Sequence, residues 1–245
     1  MKFGSPTFFF LLVFLNNVAS AQSKQEDSSL FQEAISNTLT IYNERLSDQS
    51  PLFNGSQYIR PEFEFKEGSA YFLTSGFTEN SSVVYDQIQF DSLSLLYEDL
   101  RQRLVSKSRK YQLQLVNRRI SSFCISGHQF IRLVSDSLNS GIGETGFYEV
   151  LYQGNSSLLK WTFKEFVEEL SISEGVVRNI KVSNKYFIKK KGKYYRIKSK
   201  RDLLDVFRDH QMDIEHFIKK SHLKIQHDSD NTLIQSVRYY DLISH

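Results

Sequence analysis

Cysteine and proline are scarce in this chain, and each scarcity excludes a class of protein. The 245 residues include one cysteine, Cys124, and three prolines. A single cysteine excludes a disulfide-stapled scaffold and a cysteine-ligated zinc module. Three prolines and 11 glycines exclude a collagen-like or proline-rich chain. With 40% hydrophobic and 24% charged residues, the composition is that of a globular protein with enough apolar material for a core.

Catalytic and cofactor motifs are missing as well. His210, His216 and His222 lie six residues apart, so consecutive members would face different sides of a helix and could not share a metal. The glycines of residues 141–146 match a dinucleotide fingerprint, but a strand pattern follows them where that motif needs a helix. We therefore interpret them as a connection between strands, and the sequence predicts no cofactor, no metal ligand and no catalytic residue.

The first 21 residues have the pattern of a secretory signal peptide. Lys2 precedes an apolar run over 8–15, and Ala19 and Ala21 fit the small-residue cleavage pattern. That run is too short to span a bilayer, and no run of spanning length follows it. We expect cleavage between Ala21 and Gln22 and an exported protein, periplasmic or extracellular, without a transmembrane segment.

The exported chain is predicted to be an α+β protein in three parts. Residues 22–57 hold a polar leader and a helix over 29–48, where apolar residues recur at helical spacing. Residues 58–198 contain short β-branched and aromatic runs between turn residues, which predicts a large, mostly antiparallel sheet: a meander, a sandwich or an open barrel. Residues 199–245 return to the helical period and are expected to form short helices docked on the sheet.

Two details of the sheet region follow from local pattern. Cys124 stands in an apolar run and is expected to be a buried strand residue with an inert thiol. Residues 161–170 fit either a strand or a helix, and we favour a strand as far as Phe166.

Positive charge is concentrated in one stretch, although the formal net charge is only +3. No acid lies between Glu174 and Asp202, where 11 of the 31 basic residues fall. Within it, strands over 185–190 and 193–198 are expected to flank a turn, one face packing while the other projects charge. The candidate binding residues are Lys185, Lys189, Lys190, Lys191, Lys193, Tyr194, Arg196 and Lys198.

This basic hairpin has two interpretations. As a binding surface, it suits an anionic partner such as lipid head groups, acidic glycans or an acidic protein. As a structural device, its lysines would be a solvated outer face that prevents edge-to-edge pairing of sheets. Nucleic acid is not expected as a partner, because the protein is predicted to be exported.

Short motifs along the chain resemble a family of exported proteins common in Bacteroidetes. They are LFNG at 52–55, LLYED at 95–99, GFYEVLYQG at 146–154, GKYYRIKSK at 192–200 and YYD at 239–241. The family has no assigned activity, so the resemblance implies one coherent architecture and an envelope location, with no catalytic residue to carry over. The hypothesis is a non-enzymatic envelope protein that binds a partner; the alternative is a hydrolase that acts on envelope polymers.

Overall fold

The computed structural model describes residues 52, 54–61, 65–107, 111–135, 141–173, 175–221 and 229–244. All of them belong to one structural unit, Leu52–His245. The predicted signal peptide and the helix predicted over 29–48 lie outside the described residues.

The described residues form one open sheet of eleven strands, and every strand pairing in it is antiparallel. The strands are β1 (Ser56–Gln57), β2 (Thr78–Tyr85), β3 (Ile88–Glu98), β4 (Arg103–Lys107), β5 (Gln112–Gln114), β6 (Ile120–Ile125), β7 (His128–Leu133), β8 (Gly146–Gln153), β9 (Ser157–Ser171), β10 (Gly175–Lys190) and β11 (Lys193–Ile197). Their order is β1-β5-β4-β3-β2-β6-β7-β8-β9-β10-β11. The predicted mostly antiparallel sheet is therefore confirmed, as two meanders joined where β2 pairs with β6.

Tight turns explain why neighbouring strands follow one another along the chain. The β2–β3, β6–β7 and β10–β11 connections are two-residue turns at residues 86–87, 126–127 and 191–192, and both residues of each turn have positive φ angles. That backbone conformation matches the twist of antiparallel strands and is the usual one for two-residue hairpins.

Three short helices follow the sheet, as predicted: α1 (Lys200–Val206), α2 (Gln211–Lys220) and α3 (Ser229–Ile243). Helix α1 begins where the Ser199 hydroxyl accepts a hydrogen bond from the Asp202 backbone N–H, an N-cap that satisfies one of the first unpaired amides. The apolar side chains of all three helices pack with Leu158, Ile188 and Ile197 of the sheet. Helices this short are stabilised by such packing rather than by their own hydrogen bonds.

The opposite face of the same strands carries a second core. Tyr148, Leu159, Trp161 and Phe187 pack there, together with Ile142 from the loop before β8. The last strands of the sheet are therefore covered on both faces.

Two expectations about the sheet need correction. Strand β9 continues to Ser171, five residues beyond the predicted limit at Phe166. Cys124 lies in β6, as expected, but its side chain is half-buried rather than buried. Both differences arise because local pattern does not report which neighbouring strand or loop covers a given residue.

Strands β9 and β10 extend past the rest of the sheet as a two-stranded ribbon. Strand β8 pairs with β9 only as far as Lys160, whereas β9 and β10 pair along their whole lengths. We call residues 163–171 with 175–183 the β-arm. Near its middle, the backbone of residues 66–67 bonds to β10: Lys66 N–H donates to the Arg178 carbonyl oxygen at 2.8 Å, and the Glu67 carbonyl oxygen accepts from Ile180 N–H at 2.9 Å.

Candidate binding surface

The basic hairpin predicted from the sequence is present as strands β10 and β11. Their register runs from Tyr186 opposite Ile197 to Lys190 opposite Lys193, around the turn at residues 191–192. Strand β11 is the last strand in the sheet order. The hairpin therefore forms one lateral end of the sheet.

Both faces of this hairpin pack, which differs from the expected one packed face and one charged face. Ile188 and Ile197 contact the helices on one side, and Phe187 is buried on the other side, where half-buried Tyr194 packs against the same core. The basic residues are accordingly divided between the two faces, because the strands have a core on each side.

Lys190 is held inside the structure and is not part of an open surface. Its Nζ lies 2.9 Å from Asp209 Oδ1, donates to the Val206 carbonyl oxygen at 3.0 Å and stands 4.4 Å from the centre of the Tyr240 ring. Burial lowers the pKa of Lys190, but the hydrogen bonds with Tyr240 and Asp209 outweigh that effect and raise it. Lys190 therefore anchors α1 and α3 to the hairpin.

The contact between Lys190 and Asp209 also shifts the pKa of Asp209. Burial raises its pKa, yet the hydrogen bonds from Lys190 and from the Tyr240 hydroxyl at 2.7 Å hold the pKa of Asp209 at about 2. The carboxylate is the preferred form in this setting.

Lys185 and Tyr194 also have structural contacts. Lys185 Nζ lies 3.5 Å from Glu144 Oε1 and 4.5 Å from the centre of the Trp161 ring. Tyr194 is half-buried in the core beside Ile142. These two candidate residues therefore belong in part to the packing of the sheet.

Acids from elsewhere in the chain neutralise six of the 11 basic residues in the acid-free stretch. The pairs are Arg178–Glu168, Lys181–Glu165, Lys185–Glu144, Lys190–Asp209, Lys200–Glu215 and Arg201–Asp205. The other five are exposed, and no carboxylate of the described residues forms an ion pair with them. We call these five the cationic end: Lys189, Lys191, Lys193, Arg196 and Lys198.

An open groove of about 280 Å³ lies beside the cationic end. Lys185, Arg196 and Lys198 line it together with the buried apolar side chains of Ile197 and Leu233. Among the described residues that line it, none is acidic. We call it the basic groove; it combines apolar contact area with positive charge.

A row of hydrogen-bonded charges lies next to this groove, with Glu149 buried in its middle and Asp230 and His128 partly exposed at its ends. Lys160 Nζ lies 2.7 Å from Asp230 Oδ2 and 3.2 Å from Glu149 Oε2. Tyr186 donates its hydroxyl to Asp230 Oδ1 at 2.6 Å, and burial together with this bond raises the pKa of Tyr186. At the other end, His128 Nδ1 lies 2.6 Å from Glu149 Oε1. The row ties the start of α3 to the sheet.

Sequence reasoning missed this row, and no local signal could have revealed it. His128, Glu149, Lys160, Tyr186 and Asp230 come from four strands and a helix, and none stands in a recognisable motif. Only strand register and helix docking bring them together.

A second buried pair, Asp99 and Lys164, lies at the base of the β-arm. Their charged atoms are 3.2 Å apart, and Lys164 Nζ also donates to the carbonyl oxygens of Ser69 and Tyr71. Burial raises the pKa of Asp99 from 3.8 to about 6, against the opposing effect of Lys164. Through these two hydrogen bonds, Lys164 of β9 holds residues 69–71 against the strand.

The glycine-rich segment 141–146 allows the loop before β8 to pack closely against a neighbouring strand. It leads into strand β8, as expected. A Cβ atom on Gly141 would lie 2.0 Å from the Tyr194 carbonyl oxygen, and the φ angle of Gly141 is +113°. The loop therefore passes directly against the backbone of edge strand β11.

Comparison with known proteins adds no family to this description. The chain matches no family model, and searches of curated protein sequences and of solved structures found no match. The resemblance of the short motifs to exported proteins stays a prediction. Within the described part of the chain, no helix is long and apolar enough to span a membrane, and no group of three or more metal-binding side chains occurs.

Proposed function

We propose that the protein is an exported, non-enzymatic binding module of the cell envelope, which holds an anionic partner on the cationic end of the β10–β11 hairpin. The observation that carries this proposal is the set of five exposed cations without an ion-pair partner in the described chain. The other six basic residues of the same stretch have such partners. The signal-peptide pattern supports the location.

Like charges at this end repel one another, and an anion would relieve that repulsion. Lys190 and Lys193 stand directly opposite each other across the hairpin. Like charges in such a position destabilise a strand pair. Lys190 has Asp209 as its counterion, whereas Lys193 has none among the described residues. A bound anion beside Lys193 would supply the missing counterion.

Protection of the sheet edge explains the five exposed cations less well than a binding surface does. Lysines on an edge strand do prevent pairing between sheets. Lys191 lies in the turn and Lys198 lies beyond the last residue of β11, so neither stands on the strand edge. The loop at Gly141 already contacts that edge at Tyr194. A binding surface at this end of the sheet accounts for these two cations as well.

The proposal is tested with heparin as a soluble polyanion and neutral dextran as the comparison. Wild-type protein should bind heparin with an affinity that falls as salt rises, because salt shortens the range of exposed charges. Reversing Lys189, Lys191 and Lys193 to Glu should weaken binding at least ~10-fold, since each cation near an anionic surface contributes about 1 kcal/mol. Lys190 is left unchanged because its substitution would disturb the fold.

The matched control reverses Arg201, Arg208 and Lys219 to Glu. These residues are exposed on or beside the helices and change the net charge by the same amount. This control should bind heparin as the wild type does. Equal loss in both variants would show that net charge alone, and not the cationic end, determines binding.

A further inference from the structure

We propose that the outer edge of β9 in the β-arm binds an extended segment of a partner protein as an added β-strand, and that basic and apolar residues alternate in this segment. The outer edge is the side of β9 that faces away from β10, over residues 164–170. The β-arm shares no residue with the cationic end, so the two binding surfaces are independent.

Strand pairing determines which backbone groups of the β-arm face outward. In an antiparallel pair, residues that bond to the partner strand alternate with residues that point away from it. On β10, Arg178 and Ile180 point away from β9, because their backbone groups bond to residues 66–67. Asn179 between them therefore faces β9, and Val167, which stands opposite Asn179, faces β10. The even-numbered residues of β9 consequently direct their N–H and C=O groups to the outer edge.

The body of the sheet covers this edge only at its beginning. Strand β8 pairs with β9 as far as Lys160, and the Gln102 side chain donates to the Thr162 carbonyl oxygen at 3.3 Å. Beyond this point, three residues have outward backbone groups without a hydrogen-bond partner in the described chain: Lys164, Glu168 and Leu170.

The usual devices that prevent strand addition are missing from residues 163–171. Native proteins protect an exposed edge with proline, bulges, short strands or outward-pointing lysines. Here β9 pairs with β10 without a register shift, and residues 163–171 contain no proline. Their one lysine, Lys164, is buried against Asp99 and residues 69–71. An edge of this kind is a template for another strand.

Apolar side chains are exposed along the same strand. Phe166 is 45% exposed and Leu170 is 85% exposed, and both lie on one face of the β-arm because side chains alternate along a strand. An open groove of about 420 Å³ lies beside the first part of the edge and is lined by residues 163–166. Its other lining residues in the described chain are Pro61, Leu100 and Arg101. An added strand would bury its apolar side chains against these groups.

The other face of β9 favours a basic partner. Glu165 and Glu169 lie on either side of Val167 on this face, and both are exposed. Glu165 reaches Lys181 only at 4.0 Å, and Glu169 has no ion-pair partner among the described residues. Basic side chains on the added strand would lie beside these carboxylates. Another copy of β9 would bring acids against acids, which destabilises a strand pair, because every exposed charge in residues 163–171 is negative.

The test uses a labelled peptide of alternating Lys and Val, as long as residues 164–170, with binding measured by fluorescence anisotropy. Wild-type protein should bind it, and should not bind a peptide of alternating Glu and Val. Glu168→Pro removes an outward N–H and leaves a carbonyl oxygen of the peptide unpaired, yet it keeps the ladder with β10, to which residue 168 does not donate. Glu168→Ala is the matched control, since it loses the same carboxylate and keeps the N–H. The Pro variant should bind at least ~10-fold more weakly than the Ala variant.

Hydrogen exchange on the wild type is a second measurement, and it decides alone if Glu168→Pro does not fold. The Lys-Val peptide should slow exchange of the outward N–H groups of Glu168 and Leu170 and leave that of Val167, which already faces β10, unchanged. The proposal is wrong if the wild type does not bind this peptide, if the Pro and Ala variants bind it equally, or if the outward N–H groups gain no protection. Self-association of the wild type that Glu168→Pro abolishes would also overturn it, in favour of a second copy as the occupant.

Discussion

Gly141 packs against the backbone of the last strand, β11, and this contact limits which side chains the position can accept. Replacing it with Ala would place Cβ 2.0 Å from the Tyr194 carbonyl oxygen at a φ of +113°. We expect Gly141→Ala to lower the free energy of unfolding by more than about 2 kcal/mol. Urea denaturation measures this change.

Gly143 in the same loop is the matched control. Its added Cβ would have no atom within 4 Å, and its φ angle lies outside the left-handed region. Gly143→Ala should be neutral or should stabilise the protein by up to about 1 kcal/mol, because Ala reduces the freedom of the unfolded chain. Equal losses in both variants would show that the loop does not depend on the Tyr194 contact.

The buried carboxyl group of Asp99 makes the stability of the protein depend on pH. Burial raises its pKa from 3.8 to about 6 in the folded protein, so the folded state binds the proton more tightly than the unfolded state. This contribution to stability is complete below pH 3.8 and is lost as pH rises through 6. It amounts to about 3 kcal/mol.

Asp99→Asn should therefore remove a fall in stability between about pH 4 and pH 6.5. Below about pH 4, where Asp99 is protonated in both states, Lys164 has no charged partner at Asp99 in either protein, so the two stability curves should lie close together there and separate as pH rises. The informative quantity is thus the difference in slope between the two curves of unfolding free energy against pH. Parallel curves would mean that Asp99 titrates alike in the folded and unfolded chains.

At the scale of elements, Asp230 makes the polar contact between the start of α3 and the sheet, while Asp241 near the end of the helix accepts hydrogen bonds from the Ser156 backbone N–H before β9. Asp230 accepts hydrogen bonds from Lys160 and Tyr186. Asp230→Ala would leave the Tyr186 hydroxyl without its acceptor and Lys160 with Glu149 as its remaining partner, and should lower the free energy of unfolding by about 1.5–3 kcal/mol, as measured in urea. Asp213→Ala removes an exposed acid from the first turn of α2 and should change it by less than about 1 kcal/mol.

The elements themselves were largely predictable where their signals are local. The β10–β11 hairpin and the three C-terminal helices follow from turn residues, capping residues and hydrophobic spacing, all of which act within a few residues. The extent of β9 was not predictable, because its second half has no regular alternation of polar and apolar side chains. Pairing with β10 holds that half in a strand, and pairing is a property of two distant segments.

At the scale of the whole molecule, charge is arranged in two opposite groups. The cationic end lies within the acid-free stretch, and the β-arm contains residues 165–171 and 175–177, which include no base. These groups lie on the same strand pair but far apart along it, since roughly 33 Å separates Val176 from Tyr186. Acids of the β-arm are partly neutralised within the molecule, since Arg178 pairs with Glu168 and Lys181 with Glu165, whereas the cationic end has no such pairs among the described residues.

The sequence predicted the candidate binding surface only in part. The sequence shows that Lys185 through Lys198 are basic and free of acids, because that is a property of consecutive residues. It cannot show that Asp209 and Glu144 neutralise Lys190 and Lys185, since those acids arrive from other elements. The structure therefore reduces the eight candidates to the five that are exposed and have no ion-pair partner within the described chain: Lys189, Lys191, Lys193, Arg196 and Lys198.

By itself, the sequence determined the α+β class, the hairpins, the C-terminal helices and the location of the positive charge, because propensity, turn chemistry and charge count are set by neighbouring residues. Only the tertiary structure decided the sheet order, the length of the β-arm and which lysines keep an ion-pair partner. Those features depend on distant segments that meet when burial and strand pairing fix their positions, and no short window of sequence contains that information.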